Sequence, residues 1–335
     1  MKTQEMKKRP IGRIAAVAAI LAATAAVLLL LHGWETRRQA NDAVDDPYAG
    51  QEESLTYYNG AWYARKELET VLVMGVDKYA ADTETDSYVN QEQADFLLLL
   101  VLDRNAGVCT ALPLNRDTMT EITALGLAGE RTGSFTGQLA LAHTYGSGGL
   151  DSAHNEGRAV STLLYGTEID HVMAFTMDAV PVLTDAVGGV PVVVEDDFSA
   201  MTDQLPMGQE VTLRGDLALT FVRGRGSMGG EKTNLNRMAR QNAYLQGLYR
   251  QLQGAAQDEG FLTQLLLELS PYLDTDCTAA QLNDLYQTVV QDRLAVLDAP
   301  AGEAVVGDEF MEFHVDEDAL QQTVIELFYE RRDQA

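Results

Sequence analysis

Two aspartates and an arginine fall at the ends of three consecutive apolar runs. VLVMGVD ends at Asp77, QADFLLLLVLD carries Asp95 at its start, and VCTALPLNR ends at Arg116. Residues 70–76, 95–102 and 108–114 read as strands, and the second is continuous enough in apolar residues for a doubly covered central strand. If the three run antiparallel as sequence neighbours, Asp77, Asp95 and Arg116 gather at one edge of the sheet. Converging carboxylates repel unless a cation lies between them, and hard oxygen donors suit magnesium carrying a phosphate. The plainer reading makes Asp77 and Asp95 ordinary strand-end acids in a chain rich in acids.

A second group is basic. Residues 217–225 read as a strand, which turns Arg223 and Arg225 to the same face ahead of a glycine-rich loop at 226–230. Paired arginines can grip a pyrophosphate; they can equally be surface groups bridging to nearby carboxylates. Arg237, Arg240 and Gln241 follow at helical spacing i, i+3 and i+4, near the start of a helix read over 234–253. Cations are unfavourable beside a helix amino terminus unless an anion binds there too, and the exposed N–H groups attract the same anion. Acids able to hold magnesium and arginines aimed at anions together describe a phosphoryl-transfer site, where positioning and charge neutralisation supply most of the rate. No nucleophile elbow, zinc-protease helix, P-loop or dinucleotide fingerprint is present, and the five histidines show no metal-ligand spacing.

The elements that must position these groups alternate. Asn59-Gly60, between aromatic residues, signals a two-residue hairpin. Helical period follows Asp151 up to Gly166 and returns from Ala179 to the Gly188-Gly189 stop, with strands at 171–177 and 191–195. Met238, Leu245, Leu248 and Leu252 form the inward stripe of the 234–253 helix. Residues 260–273 and 319–329 read as further helices. The expectation is a layered α/β fold over residues 56–335.

Upstream, Lys2, Lys7, Lys8, Arg9 and Arg13 form a basic head at 1–13. They precede an apolar run at 14–34, long enough to span a bilayer as one transmembrane helix. The positive-inside rule keeps the head cytoplasmic and turns the rest of the chain outward. Residues 35–55, polar and acidic from Gln39, read as an extracellular tether. A net charge of −26 argues against a nucleic-acid partner, which basic patches would have to recognise. The two cysteines, Cys109 and Cys277, allow at most one disulfide; Cys109, in an apolar strand, reads as a buried thiol.

Six segments in order resemble the LytR-CpsA-Psr family: VLVMGVD, QADFLLLLVLD, LPLNRDT, LALAHTYGSGG, DAVGGVPVVV, and GDLALTFVRGR followed by NRMARQ. The resemblance covers roughly residues 70–252. It implies a mixed β-sheet between helices, an apolar groove for a polyprenyl chain, and a magnesium-dependent transferase of undecaprenyl-pyrophosphate-linked glycopolymer to peptidoglycan. Asp77 and Asp95 would hold magnesium or activate the acceptor hydroxyl. Arg116, Arg223, Arg225, Arg237 and Arg240 would bind the pyrophosphate, supported by Gln241. The chain departs from the family pattern at Gln93, commonly arginine, at Asn234, commonly aspartate, and at Asn115, usually proline. The stretch 78–90 reads as an insertion. A binding module without turnover and a pyrophosphatase fit the same residues. A transcriptional attenuator does not, since the cytoplasmic head carries no DNA-binding motif.

Overall fold

The structure, a computed structural model, describes residues 55–77, 92–224, 234–256, 260–291, 293–307 and 310–332. The chain divides into two units, Met1–Tyr57 and Tyr58–Ala335; apart from residues 55–57, the described residues belong to the second. The basic head, the apolar run at 14–34 and all of the tether but Leu55 lie outside the described residues. Among the described residues no helix is long and apolar enough to cross a membrane.

Strand β1 (Leu55–Tyr58) ends at the Asn59-Gly60 turn and β2 (Ala61–Arg65) follows. Asn59 has φ 46° and Gly60 φ 81°, the positive pair that a two-residue hairpin turn demands. The rings of Tyr58 and Tyr63 meet edge-on across it, 6.4 Å apart. Four central strands come next in the chain or close to it: β3 (Glu69–Asp77), β4 (Gln93–Asp103), β5 (Val108–Pro113) and, after an interval, β8 (His171–Thr176). That interval holds a hairpin, β6 (Met119–Leu125) with β7 (Arg131–Gln138), then the short helix α1 (Leu141–Thr144) and α2 (Gly149–Leu163).

With β11 (Leu273–Thr275) and β12 (Arg293–Val296) at its edges, the main sheet runs β11-β8-β3-β4-β5-β12. Neighbours β3, β4 and β5 pair antiparallel, while β8 joins β3 and β12 joins β5 in parallel. The sheet is therefore mixed, as the resemblance implies. Its period of two is visible in the packing. Leu72, Met74, Val76, Leu97, Leu99 and Val101 face one core with Val160 of α2 and with Leu320, Val324 and Phe328 of α8 (Glu317–Phe328). Val71, Leu100, Leu102 and Cys109 face the other way, against Leu285 and Val289 of α7 (Ala279–Gln291). Neither cysteine is in a disulfide; Cys109 is fully buried and Cys277 half-buried.

A second core joins α3 (Ala179–Ala186), β9 (Val190–Val193) paired with β10 (Glu210–Leu213), α4 (Gly215–Arg223) and α5 (Leu235–Ala255), through Val190, Phe198, Phe221, Tyr244 and Leu248. The remaining elements are α6 (Phe261–Leu269), the hairpin of β13 (Gly302–Val306) with β14 (Met311–Val315), and β15 (Tyr329–Arg332), which pairs β2.

One element differs in type from the sequence expectation. The strand read over 217–225 is helix α4. Its buried residues are Ala218, Phe221 and Val222, spaced i, i+3, i+4, and a short apolar run leaves strand and buried helix indistinguishable until packing decides. The helix begins at Gly215, at φ 47°, whose N–H is accepted by Asp185 Oδ1 at 2.9 Å. Arg223 thus closes a helix, and the two-residue argument pairing it with Arg225 on one strand face fails. Arg225 and the glycine-rich loop lie outside the described residues.

Candidate functional site

The expected convergence at the sheet end is present. Asp77 closes β3 opposite Gln93, the first residue of β4. Two positions on, the ladder slips: Gly75 faces Phe96 while Val76 faces Ala94. Asp95 is the extra residue of this bulge, and a bulge of this kind re-aims one side chain beside a site. From the end of β5 the chain turns through Asn115, whose Oδ1 accepts the Asp117 N–H at 3.0 Å, and brings Arg116 against Asp95.

Asp95 lies between two guanidinium groups. Arg116 Nη1 is in direct contact with Asp95 Oδ1. Arg237 approaches from α5, with Nη1 3.6 Å from Asp95 Oδ2 and Nη2 donating to the Asp95 carbonyl at 3.0 Å. Asp95 and Arg237 are buried and Arg116 is mostly so, with side-chain exposures of 9% for Asp95, 11% for Arg116 and 9% for Arg237. Arg116 also donates to Asp117 Oδ1 at 3.1 Å and to Gln93 Oε1 at 3.0 Å. Asp77 is held from another direction, accepting from Arg223 Nη2 at 2.5 Å. Arg223 is the open member, with 43% of its side chain exposed.

The rest of the α5 set is divided between two tasks. Arg240 is buried against Asp196 and the Gly224 carbonyl, with its guanidinium 5.7 Å from the centre of the Phe198 ring. It ties α5 to the two strands' connecting loop and to the end of α4. Gln241 is buried and lines an apolar cavity of ≈ 160 Å³. Its other walls include Met74 and Gly75 of β3, Phe96 of β4, Val180 and Leu183 of α3, and Tyr244, Leu245 and Leu248 of α5. A Cβ at Gly75 would meet Met177 Cε and Phe96 Cβ at 3.1 Å, so glycine there preserves the cavity wall. One face of α5 therefore descends from Arg237 through Gln241 into an apolar slot.

The positions that depart from the family pattern are in contact with this cluster. Gln93 accepts from Arg116, and Asn234 Nδ2 donates to Asn115 Oδ1 at 3.3 Å. The second contact joins two departures through one neutral hydrogen bond.

Sequence reasoning missed Glu156. It is fully buried on the inward stripe of α2, and its Oε2 accepts the His143 N–H at 2.8 Å, while Oε1 has no hydrogen-bond partner. Desolvation raises its carboxyl pKa to about 8, opposed by the His143 N–H and by the charge of Arg116. The helical period through Ala153, Glu156 and Val160 was the signal available for it.

As a donor set, Asp77 and Asp95 offer hard oxygens from adjacent strands. That is the kind of partial protein shell magnesium takes when substrate phosphates complete it. Both carboxylates now face guanidinium groups, so a cation and a pyrophosphate entering together would exchange like for like in charge.

The LytR_cpsA_psr family model matches residues 33–328 of the chain. A curated relative, the polyisoprenyl-teichoic acid–peptidoglycan teichoic acid transferase TagU of Halalkalibacterium halodurans, is 28% identical over 160 residues, 47% of this chain and 44% of that protein. The match thus spans less than half the length of that relative. Among solved structures, the gbs0355 protein of Streptococcus agalactiae aligns with a TM-score of 0.62 at 18% identity, covering 78% of this chain and 87% of that one. TagT bound to LI-WTA aligns with a TM-score of 0.59 at 18% identity, covering 83% and 96%. B. subtilis TagV aligns with a TM-score of 0.58 at 22% identity, covering 78% and 97%. At these identities the structural likenesses speak for the fold.

Proposed function

The chain belongs to the LytR-CpsA-Psr family, and we propose that it transfers a glycopolymer, with its linking phosphate, from a polyprenyl pyrophosphate carrier to peptidoglycan. The observation that carries this reading is the face of α5, which runs from a buried arginine beside Asp95 into an apolar slot. A diphosphate head on a long hydrocarbon tail has that distribution of charge and apolar surface. The name of the TagU relative points the same way.

In this reading Arg116, Arg223 and Arg237 take the pyrophosphate oxygens, releasing the two aspartates they now hold. Arg225 is assigned to the same head group on its position after Arg223, and Arg240 supports the wall on which the head rests. An acceptor hydroxyl attacks the glycan-side phosphorus, and the bond from that phosphorus to the bridging oxygen breaks. The electron pair leaves with the carrier as polyprenyl monophosphate, and the hydroxyl proton passes to one of the carboxylates. Asp77 and Asp95 are the residues that would hold magnesium, and the chemistry magnesium supplies when bound is charge neutralisation at the pyrophosphate oxygens. Residues 14–34 anchor the chain in the membrane in this proposal, with the catalytic domain outside, where both substrates lie.

A second reading, a module that holds the glycolipid without turnover, draws on Gln93 and Asn234, neutral side chains where the family commonly carries charge. Full-length chain purified in detergent, given a short-chain polyprenyl pyrophosphate glycan and peptidoglycan fragments, separates the possibilities. Linked product that disappears on chelating magnesium is the expected result. Donor binding with no product and no released carrier phosphate would favour the binding module. Carrier phosphate released without peptidoglycan would identify water as the acceptor.

A further inference from the structure

At the end of the sheet opposite Asp77, three separate segments bring metal-ligating side chains together. His171 opens β8, paired with Val71 near the start of β3, and so lies at the far end of that strand from the catalytic residues. Asp276 and Cys277 follow directly on β11, whose Thr275 pairs Met173. One ligand atom from each of His171, Asp276 and Cys277 lies within 4.8 Å of the other two. In particular, His171 Nδ1 is 3.4 Å and Cys277 Sγ 3.9 Å from Asp276 Oδ1. His154 adds a fourth group from α2, with Nε2 3.7 Å from Asp276 Oδ2. No sequence spacing reveals this set, because His154 and His171 are 17 positions apart and the adjacent Asp276 and Cys277 lie more than 100 positions further on.

The cluster is preorganised. Thr275 Oγ1 donates to the Val172 carbonyl at 2.7 Å and accepts the Cys277 N–H at 3.1 Å, while Asp276 Oδ1 accepts the Val172 N–H at 3.1 Å. These bonds fix the turn that presents the aspartate and the cysteine. Within it, His171 Nδ1 is buried and makes no hydrogen bond, although a carboxylate is near. A buried ring nitrogen left unsatisfied is costly unless something else completes it.

We propose that His171, Asp276 and Cys277, completed by His154, form a binding site for a divalent transition ion of the zinc class. Mixed nitrogen, oxygen and sulfur donors select such an ion over magnesium or calcium, which take oxygen alone. Bonds of about 2.0–2.3 Å to a tetrahedral centre place ligand atoms roughly 3.3–3.7 Å apart, and the contacts to Asp276, at 3.4, 3.7 and 3.9 Å, lie in or just above that range. The ion would join α2, β8 and the turn entering α7, so it is structural, distinct in place and chemistry from the magnesium proposed at Asp77 and Asp95.

Gln281 supplies a test that loss of function alone cannot. Its Oε1 accepts from the Thr278 N–H at 2.9 Å and the Thr278 hydroxyl at 2.8 Å, a capping box for α7, so its amide nitrogen faces His171 Nε2 at 3.1 Å. An ion on Nδ1 leaves the proton on Nε2, and there a carboxylate is the better partner. Gln281→Glu keeps the cap with one oxygen and accepts the Nε2 proton with the other.

The experiment uses full-length chain, stripped with chelator and kept reduced with a phosphine, and titrates Zn²⁺ by calorimetry and Co²⁺ by absorbance. Expected are one ion per chain and a sulfur-to-cobalt charge-transfer band that Cys277→Ser abolishes. Gln281→Glu should tighten Zn²⁺ binding about tenfold, and Asp77→Asn should leave it unchanged. Zn²⁺ should also raise the melting temperature of the wild-type chain, through preferential binding to the folded state. Absence of saturable binding, a cobalt spectrum without the sulfur band, or equal affinity in the wild type and Cys277→Ser would each overturn the proposal. A folded Gln281→Glu chain that binds Zn²⁺ no more tightly than the wild type would overturn the assignment of His171 Nδ1 as ligand.

Discussion

The site's charge pattern is set by two acid–arginine contacts of different character. Asp77 and Arg223 meet where Arg223 is half in solvent, so the contact adds about 0–1 kcal/mol to stability. Arg223→Ala should therefore leave the denaturation midpoint in place while lowering turnover on the order of 10²–10³-fold, the usual loss when a charge-stabilising donor is removed. Arg116 is different, because only 11% of its side chain is exposed and its partner Asp95 is buried. Arg116→Ala should lose turnover and also about 3–5 kcal/mol of stability, since it leaves a buried carboxylate with half its compensation. Chemical denaturation beside the transfer assay resolves both substitutions; equal stability losses would contradict the assigned burial. Glu156 yields a pH prediction. Its pKa is raised on folding to about 8, so between the unfolded value near 4.3 and about 8 the folded state holds a proton that the unfolded state has lost. Its contribution is complete at acid pH and is lost as pH rises, on the order of 1 kcal/mol per pH unit. Glu156→Gln should remove that slope and raise the melting temperature at pH 7.5. Asp77, Asp95 and Arg116 were legible in the sequence because neighbouring antiparallel strands must return to the same end. Glu156 was not, since nothing in its type distinguishes a buried acid from the chain's many surface ones.

Elements were legible in proportion to the strength of their apolar pattern, whether a continuous run or a period. β3, β4 and β5 are covered on both faces, and long apolar runs identified them. Hairpin β6–β7 contains RTGSFTGQ, mostly exposed and polar, with no apolar period to read. Helix α4 reads as a strand because its apolar residues form one short run interrupted only by Thr220, and only its packing on Phe198 and α5 reveals the 3.6-residue repeat. That correction matters to the site, since it places Arg223 at the last turn of a helix that delivers it to Asp77. The approach of α5 to β9 depends on Gly247, where a Cβ would come 2.5 Å from the Pro191 carbonyl oxygen and 2.7 Å from Val190 Cγ1. Gly247→Ala should push the helix off the strand and lower stability by about 1–3 kcal/mol, despite alanine's better helix propensity. A midpoint equal to or above wild type would show that α5 packs more loosely than described.

At the scale of the molecule, acidity and function pull apart. A chain of net charge −26 should repel a pyrophosphate-linked polymer at long range, so binding must come from the few arginines concentrated at one sheet end. Screening by salt weakens that repulsion more than the buried contacts, which makes association with an anionic donor less hindered at moderate ionic strength. The mixed sheet and the strand-end site followed from the sequence and the family resemblance together, while the cluster at His171, Asp276 and Cys277 depended on contacts between distant segments. The central claim is that the linking phosphate travels with the glycan. The measurement that tests it most directly uses a donor labelled at the glycan-side phosphorus, with the full-length chain, magnesium and peptidoglycan fragments. Label should appear in the peptidoglycan product with an equal amount of unlabelled polyprenyl monophosphate. Label found only as soluble glycan phosphate, or retained on bound donor while the TagU transferase of Halalkalibacterium halodurans turns over under the same conditions, would contradict the claim.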